Sequence, residues 1–156
     1  MSEALSRRLQ QTQFASAAQE ALLSVAVAAN TLNDLMDGIC EDFAISRPQY
    51  NVLRILRGAE PTGLPCSGIG ERMISHDPDM TRLLDRMEKR GLISRARQTD
   101  DRRVIKTRIT PAGLVLLKSL DQPVRELHKR QFHHLPAARL KALAELLEEV
   151  RARGPE

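Results

Sequence analysis

The stretch Thr81-Arg-Leu-Leu-Asp-Arg-Met-Glu-Lys-Arg-Gly-Leu-Ile-Ser-Arg95, continued by Asp100-Asp-Arg-Arg103 and Ile109-Thr-Pro111, decides how this chain is read. Met80, Leu83, Leu84 and Met87 fall at i, i+3, i+4 and i+7, which predicts a helix with one buried face. Thr81, Arg82, Asp85, Arg86 and Lys89 occupy the other face. Gly91 stops the helix, and residues 92–98 and 104–109 then read as the two strands of a hairpin around a polar tip. A helix that runs straight into an arginine-rich hairpin is the layout of a winged helix-turn-helix.

The charge is concentrated in that hairpin. Between Leu92 and Arg108 stand Arg95, Arg97, Arg102, Arg103, Lys106 and Arg108 against Asp100 and Asp101, six minus two, which equals the +4 of the whole chain. The remainder sums to zero, so the excess positive potential sits on one small element, as phosphate binding requires. A merely solvated charged hairpin is the alternative, and the helix in front of it argues against that.

Working outward, Ser75-His76-Asp77-Pro78 is a turn in which Asp77 can cap the helix and Pro78 can be its first residue. Residues 66–74 predict a short helix with Ile69 and Met73 inward, weakened by Gly68 and Gly70. Ser46-Arg47-Pro48-Gln49 is a capping box, followed by a stripe of Tyr50, Leu53 and Leu56 and ended by the loop 58–63. A long helix over 16–43 precedes it, with a narrow apolar seam at Leu22, Val25, Ala29, Leu32, Met36, Ile39 and Phe43. Beyond the hairpin, Thr110-Pro111 opens a helix with Leu117, Leu120, Val124 and Leu127 on one face, which Pro123 is expected to kink or interrupt. A last helix from about Pro136 repeats the seam at Leu140, Leu143, Leu147 and Val150. Each seam wants another helix, from the same chain or from a second copy.

Length and composition fit one compact unit: 156 residues, 42% hydrophobic and 28% charged. The longest uncharged stretch near the N-terminus, 21–33, is too short and too polar to span a bilayer, and no secretory signal pattern opens the chain, so a cytoplasmic protein is expected. Cys40 and Cys66 form neither a disulfide scaffold nor a CxxC pair. Gly68-Ile-Gly70 lacks the third glycine of a dinucleotide fingerprint, and neither a P-loop, an HExxH nor a nucleophile elbow occurs. An enzyme is therefore not expected, and no cofactor is called for.

These elements in this order, with Thr-Arg-Leu-Leu-Asp-Arg-Met-Glu-Lys-Arg-Gly-Leu-Ile, Asp-Arg-Arg and Ile-Thr-Pro-Ala-Gly, resemble the MarR family of bacterial transcription regulators over roughly residues 18–150. The resemblance implies a mainly α (α+β) fold: one winged helix-turn-helix unit over 16–152, with a DNA-binding region at 44–110 and a helical dimerisation region at 16–43 and 111–152. It implies a homodimer of interlocked terminal helices, a repressor of a pseudo-palindromic operator on double-stranded DNA, and control by a small aromatic effector or an oxidant. The competing class is a helical protein-interaction module that keeps the winged fold without specific DNA binding.

A recognition helix enters the major groove by its N-terminal half, so Asp79, Met80, Thr81, Arg82 and Arg86 are the candidates for meeting DNA there. Arg82 and Arg86 can read guanine or hold phosphate, and Arg82 can instead pair with Asp79 or Asp85. On the wing, Asp101-Arg102-Arg103 matches the family's Asp-x-Arg tip; the aspartate resembles a residue that orients arginine while Arg103 contacts the backbone or minor groove. Ser67 can bond a phosphate or cap the short helix. For sensing, Cys66 near a helix start is a conceivable redox switch, but the family's peroxide sensors carry their cysteine near the start of the first long helix, where this chain has none. His128, His133 and His134 with Glu126 lack a compact ligand pattern, so no metal is expected.

Overall fold

The computed structural model describes residues 3–11, 13–75, 79–97 and 104–152. It opens with a short helix, α1 (Glu3–Leu9), that the sequence pattern does not announce and that buries Leu5. The long helix follows as α2 (Ala17–Asp42). Ser16 caps it by accepting the Gln19 amide at 3.1 Å, while Gln19 returns a bond to Ala15 N–H at 2.6 Å. At its other end Ala44 N–H donates to Glu41 and Ile45 N–H to Cys40, at 2.9 and 3.0 Å. This is a Schellman turn whose left-handed residue is Ala44, at φ 55°.

Helix α3 (Arg47–Gly58) begins with the capping box expected at Ser46 and Gln49, both bonds being made. Its buried face is wider than Tyr50, Leu53 and Leu56: Val52 and Ile55 join Leu53 and Leu56, and Tyr50 is half-buried. A two-residue strand, β1 (Leu64–Pro65), precedes α4 (Cys66–Gly70), which is shorter than the expected 66–74. Ile69 is buried and Met73 packs against the core, but Ile74 is 82% exposed.

Helix α5 (Met80–Lys89) starts later than its sequence suggests. Its cap is Asp79, which accepts the Arg82 amide at 3.3 Å, rather than Asp77; Asp77 and Pro78 lie outside the described residues. It ends in a second Schellman turn, with Gly91 N–H on Glu88 at 2.8 Å and Leu92 N–H on Met87 at 3.0 Å. Gly91 takes the left-handed conformation there, at φ +69°.

The hairpin is β2 (Ile93–Arg97) and β3 (Ile105–Ile109), antiparallel, with Ile93 opposite Ile109 and Arg97 opposite Ile105. β1 adds to the far side of β3, giving the order β1-β3-β2 and leaving Thr107 buried in the central strand. Thr110 caps α6 (Pro111–Phe132), and its hydroxyl also donates to Gly91 O at 2.6 Å. α6 runs unbroken through Pro123. Leu120 and Val124 on either side of that proline are buried, and such packing outweighs the roughly 3 kcal/mol a helical proline costs. α6 packs on α2 and α3, and α7 (Ala137–Ala152) ends the fold with no buried residue.

One core joins these elements. Leu53 and Leu56 of α3, Ile69 of α4, Leu83, Leu84 and Met87 of α5, Ile93 and Ile109 of the sheet, and Leu117 and Leu120 of α6 form a continuous cluster. Met36, Ile39 and Phe43, the C-terminal end of the α2 seam, pack against it.

Candidate nucleic-acid interface

The apolar period of α5 forces its polar residues to one side. With Leu83, Leu84 and Met87 fully buried, Thr81, Arg82, Arg86 and Lys89 stand exposed together. Met80, a candidate for meeting DNA, is drawn half into the core and packs against it. Asp79 is exposed and serves the helix itself, capping the Arg82 amide and pairing with the Arg82 guanidinium at 3.2 Å. Of the alternatives open for Arg82, the pair with Asp79 is therefore made in the free protein, on a side chain 79% exposed. Such a pair is worth little and gives way readily to a phosphate or a base edge. Arg86 has no ion pair among the described residues.

Ser67 is exposed near the start of α4. Pro65 occupies the N-cap position with no side-chain bond to the helix, so the capping role open to Ser67 is not the one it takes. The wing-tip candidates Asp101, Arg102 and Arg103 lie outside the described residues.

The hairpin corrects the charge reading in one respect. Period-two alternation puts Arg95 on the same sheet face as buried Ile93, turned toward α5. Its Nε and Nη2 donate to Glu88 Oε2 at 2.9 and 2.7 Å, and Nη2 also reaches Asp85. Its backbone N–H donates to Glu88 Oε1 at 3.0 Å. One of the six hairpin cations is thus spent inside the protein. Hydrogen bonding from Arg95 holds the Glu88 carboxyl below its ordinary range, and the same bonds to Glu88 raise Arg95. Strand alternation combined with two acids one turn apart on the preceding helix was the available signal. Arg97 and Arg108 remain exposed on the strands.

Other polar contacts tie the elements around the interface together. Arg90 Nη1 donates to Ala44 O at 2.7 Å, tying the end of α5 to the turn between α2 and α3. Asn51 Nδ2 donates to Met73 Sδ at 3.4 Å, joining α3 to the segment after α4. Behind the interface, Arg57 makes two 3.0 Å bonds to Asp121 between α3 and α6.

The sensing candidates are placed as follows. Cys40 is fully buried, and burial pushes its thiol up to about 11; Cys66 is exposed. His133 and His134 meet edge to face at 5.7 Å, and no group of three metal-binding side chains occurs among the described residues. A cavity of about 550 Å³ lies between α6 and α7, lined by His128, Phe132, His133, Leu140, Leu143 and Leu147. A second, of about 610 Å³, lies beside the end of α3, lined by Arg54, Ile55, Leu64 and Arg72. Among the described residues no helix is long and apolar enough to cross a membrane.

Known proteins share this arrangement. Residues 45–105, which run from the start of α3 to the start of β3, match the MarR family. The HTH-type transcriptional repressor IacR of Pseudomonas putida is 30% identical over 115 residues, 74% of this chain and 68% of its own length. The homoprotocatechuate degradative operon repressor of Escherichia coli is 27% identical over 110 residues, 70% of this chain and 73% of its own. Among solved structures, a MarR transcription factor from Planctomyces limnophilus is 41% identical, covering 87% of this chain and 98% of its own, with a TM-score of 0.67. The three-stranded winged core, the family match over residues 45–105 and a repressor relative of 30% identity together mean that this chain belongs to the MarR family of DNA-binding transcription regulators.

Proposed function

We propose that the chain acts as a homodimeric repressor, with α5 in the major groove and the wing on the backbone or in the minor groove. The observation that carries this reading is the exposed row Thr81, Arg82, Arg86 and Lys89 on a helix whose other face is locked in the core. Asp79, Met80, Thr81, Arg82 and Arg86 are the helix side of the interface. Ser67 adds a phosphate contact, and Asp101, Arg102 and Arg103 form the wing tip. Residues 44–110 are the DNA-binding region, and 16–43 with 111–152 are the dimerisation region of the 16–152 unit. Leu22 and Val25 of α2 and Leu143, Leu147 and Val150 of α7 are exposed in the single chain, as helices awaiting a second copy would be. Two-fold symmetry then sets paired half-sites about 34 Å apart, one turn of DNA.

The protein works in the cytoplasm, catalyses no reaction and needs no cofactor. Repression is the direction carried by the names of both similar repressors. A small aromatic effector completes the reading, because one of those names ties its bearer to an operon that degrades an aromatic acid.

Fluorescence anisotropy with the promoter of the protein's own gene and with random duplex, at two salt concentrations, tests this. Binding that prefers the promoter is expected; no binding at low salt overturns the reading in favour of a protein-interaction module. Arg103→Ala is expected to weaken binding to all duplexes and reduce the salt slope by about one phosphate contact. Arg82→Ala is expected to change preference among sites by about 1–3 kcal/mol, and equal losses on promoter and random DNA count against base reading.

A further inference from the structure

Arg95 sits where the two DNA-facing elements join. It belongs to β2 by sequence, yet four hydrogen bonds run from it to α5: two from the guanidinium to Glu88, one from the backbone N–H to the same carboxylate, and one from the guanidinium to Asp85. Its side chain is only 25% exposed. Two carboxylates against one cation leave no net positive charge at this point. A guanidinium already engaged by two acids and turned to the inner sheet face is poorly placed to hold phosphate. Arg97, on the same strand, has no ion pair among the described residues and is exposed.

The acids raise a question of their own. Asp85 and Glu88 lie on the recognition helix, where negative charge opposes any approach to DNA. Their presence has a reason if they bind something that DNA binding needs more than it needs the removal of two charges. A fork-shaped guanidinium spanning one helical turn is suited to that, because it fixes angle as well as distance. The strand register then carries the constraint across the hairpin, since Arg95 pairs with Thr107, which is buried in the central strand.

We propose that Arg95 is a positioning residue: with Asp85 and Glu88 it locks the wing to the recognition helix, so that both elements meet DNA in a single fixed register. This rests on the DNA-binding reading above. Arg95 itself touches no nucleic acid, and the two acids serve specificity although their charge opposes affinity. A wing free to swing still holds phosphate on any sequence. It loses the discrimination that comes from seating α5 and the wing together.

The test compares the wild-type chain with Arg95→Ala, Arg95→Lys and the double variant Asp85→Asn/Glu88→Gln. Anisotropy on promoter and random duplexes across a salt series gives the ratio of the two affinities and the salt slope. For Arg95→Ala the lock predicts about a tenfold fall in that ratio with the slope unchanged. Lysine keeps the charge without the fork, and it should not restore the ratio. The double variant should lose promoter preference too, although removing two negative charges would by itself strengthen binding to every duplex.

Two binding results overturn the proposal: a slope reduced by about one with the ratio intact in Arg95→Ala, which marks a phosphate contact, or an intact ratio in the double variant. Hydrogen exchange on the DNA-free proteins supplies a readout independent of DNA. Faster exchange confined to residues 93–97 and the last turn of α5 supports the lock, and unchanged exchange there refutes it. Circular dichroism verifies that each variant folds, and the double variant stands in if Arg95→Ala does not. Absence of promoter binding by the wild type breaks the DNA-binding reading alone, and exchange still decides whether the wing is locked.

Discussion

The winged unit and the terminal helices are built from equally apolar residues but finish differently. In the winged unit, Leu53, Leu56, Ile69, Leu83, Leu84 and Met87 are all fully or almost fully buried within one chain. In α7, Leu143, Leu147 and Val150 fall at seam spacing and none is buried; at the other end of the fold Leu22 of α2 is 67% exposed. Burial near 25 cal/mol per Å² makes the first arrangement self-sufficient and leaves the second waiting for a surface. The difference separates a core completed within one chain from helix faces that the single chain leaves open.

The hardest test of that contrast is a matched truncation. Leu84→Ala should destabilise the fold by about 2–5 kcal/mol, read as a lowered denaturation midpoint. Leu147→Asp should leave the winged unit folded and shift the mass measured by light scattering from dimer to monomer. An unchanged mass would show that the α7 seam is not what joins copies.

The two Schellman turns sharpen the comparison on a smaller scale. One, at Gly91, lies inside the winged unit; the other, at Ala44, lies at the joint between the two regions. Gly91→Ala should cost about 1 kcal/mol, because an L-residue is strained at that φ. Ala44→Gly relieves the same strain but gives the unfolded chain more freedom, so it should change stability by less than about 1 kcal/mol. Chemical denaturation of both variants measures the pair; equal losses at both turns would contradict the backbone account.

The smallest effects are those of pH and thiol chemistry. Glu88 is held below its ordinary value of 4.5. Its link between wing and α5 is therefore fully present above that pH and is lost as the pH falls through the lowered value. Exchange at residues 93–97 followed down an acid series should show the wing loosening before the core does. Cys40 shifts the other way, from 9.0 to about 11, so its contribution is present below pH 9 and lost as the pH climbs toward 11. A thiol reagent at neutral pH should label exposed Cys66 and spare Cys40 until denaturant is added. DNA binding should survive peroxide treatment, and its loss would mark exposed Cys66 as a redox switch.

Much of the fold was legible because local chemistry and the tertiary structure agree. The capping box at Ser46, the cap at Thr110, the buried face of α5 and the alternation of the hairpin each state in sequence what the structure realises. Where sequence and structure part, a competing contact, local or long-range, outweighed the residue pattern. Asp77-Pro78 looked like a helix start by residue type, but Asp79 makes the cap. Pro123 read as a kink or an interruption, and α6 is not interrupted there, its neighbours Leu120 and Val124 being buried. Strand β1 is two residues long and owes its existence to β3 alone, so no pattern could announce it. At the interface, the exposed row on α5 was readable from its period. The engagement of Arg95 was missed although strand alternation carried a signal for it, since summing charges ignores which face of a strand each one occupies.

The bond from Arg90 to Ala44 O has a mechanical meaning. It lies at the foot of α2, whose 26 residues at about 1.5 Å each form a rod of roughly 39 Å. On such a rod, each degree of rotation about the Ala44 turn displaces the far end by roughly 0.7 Å, given that rise per residue. The 2.7 Å hydrogen bond from Arg90 ties the end of α5 to that fulcrum. Read in the other direction, whatever grips the tip of α2 holds the end of the recognition helix with the full leverage of the rod.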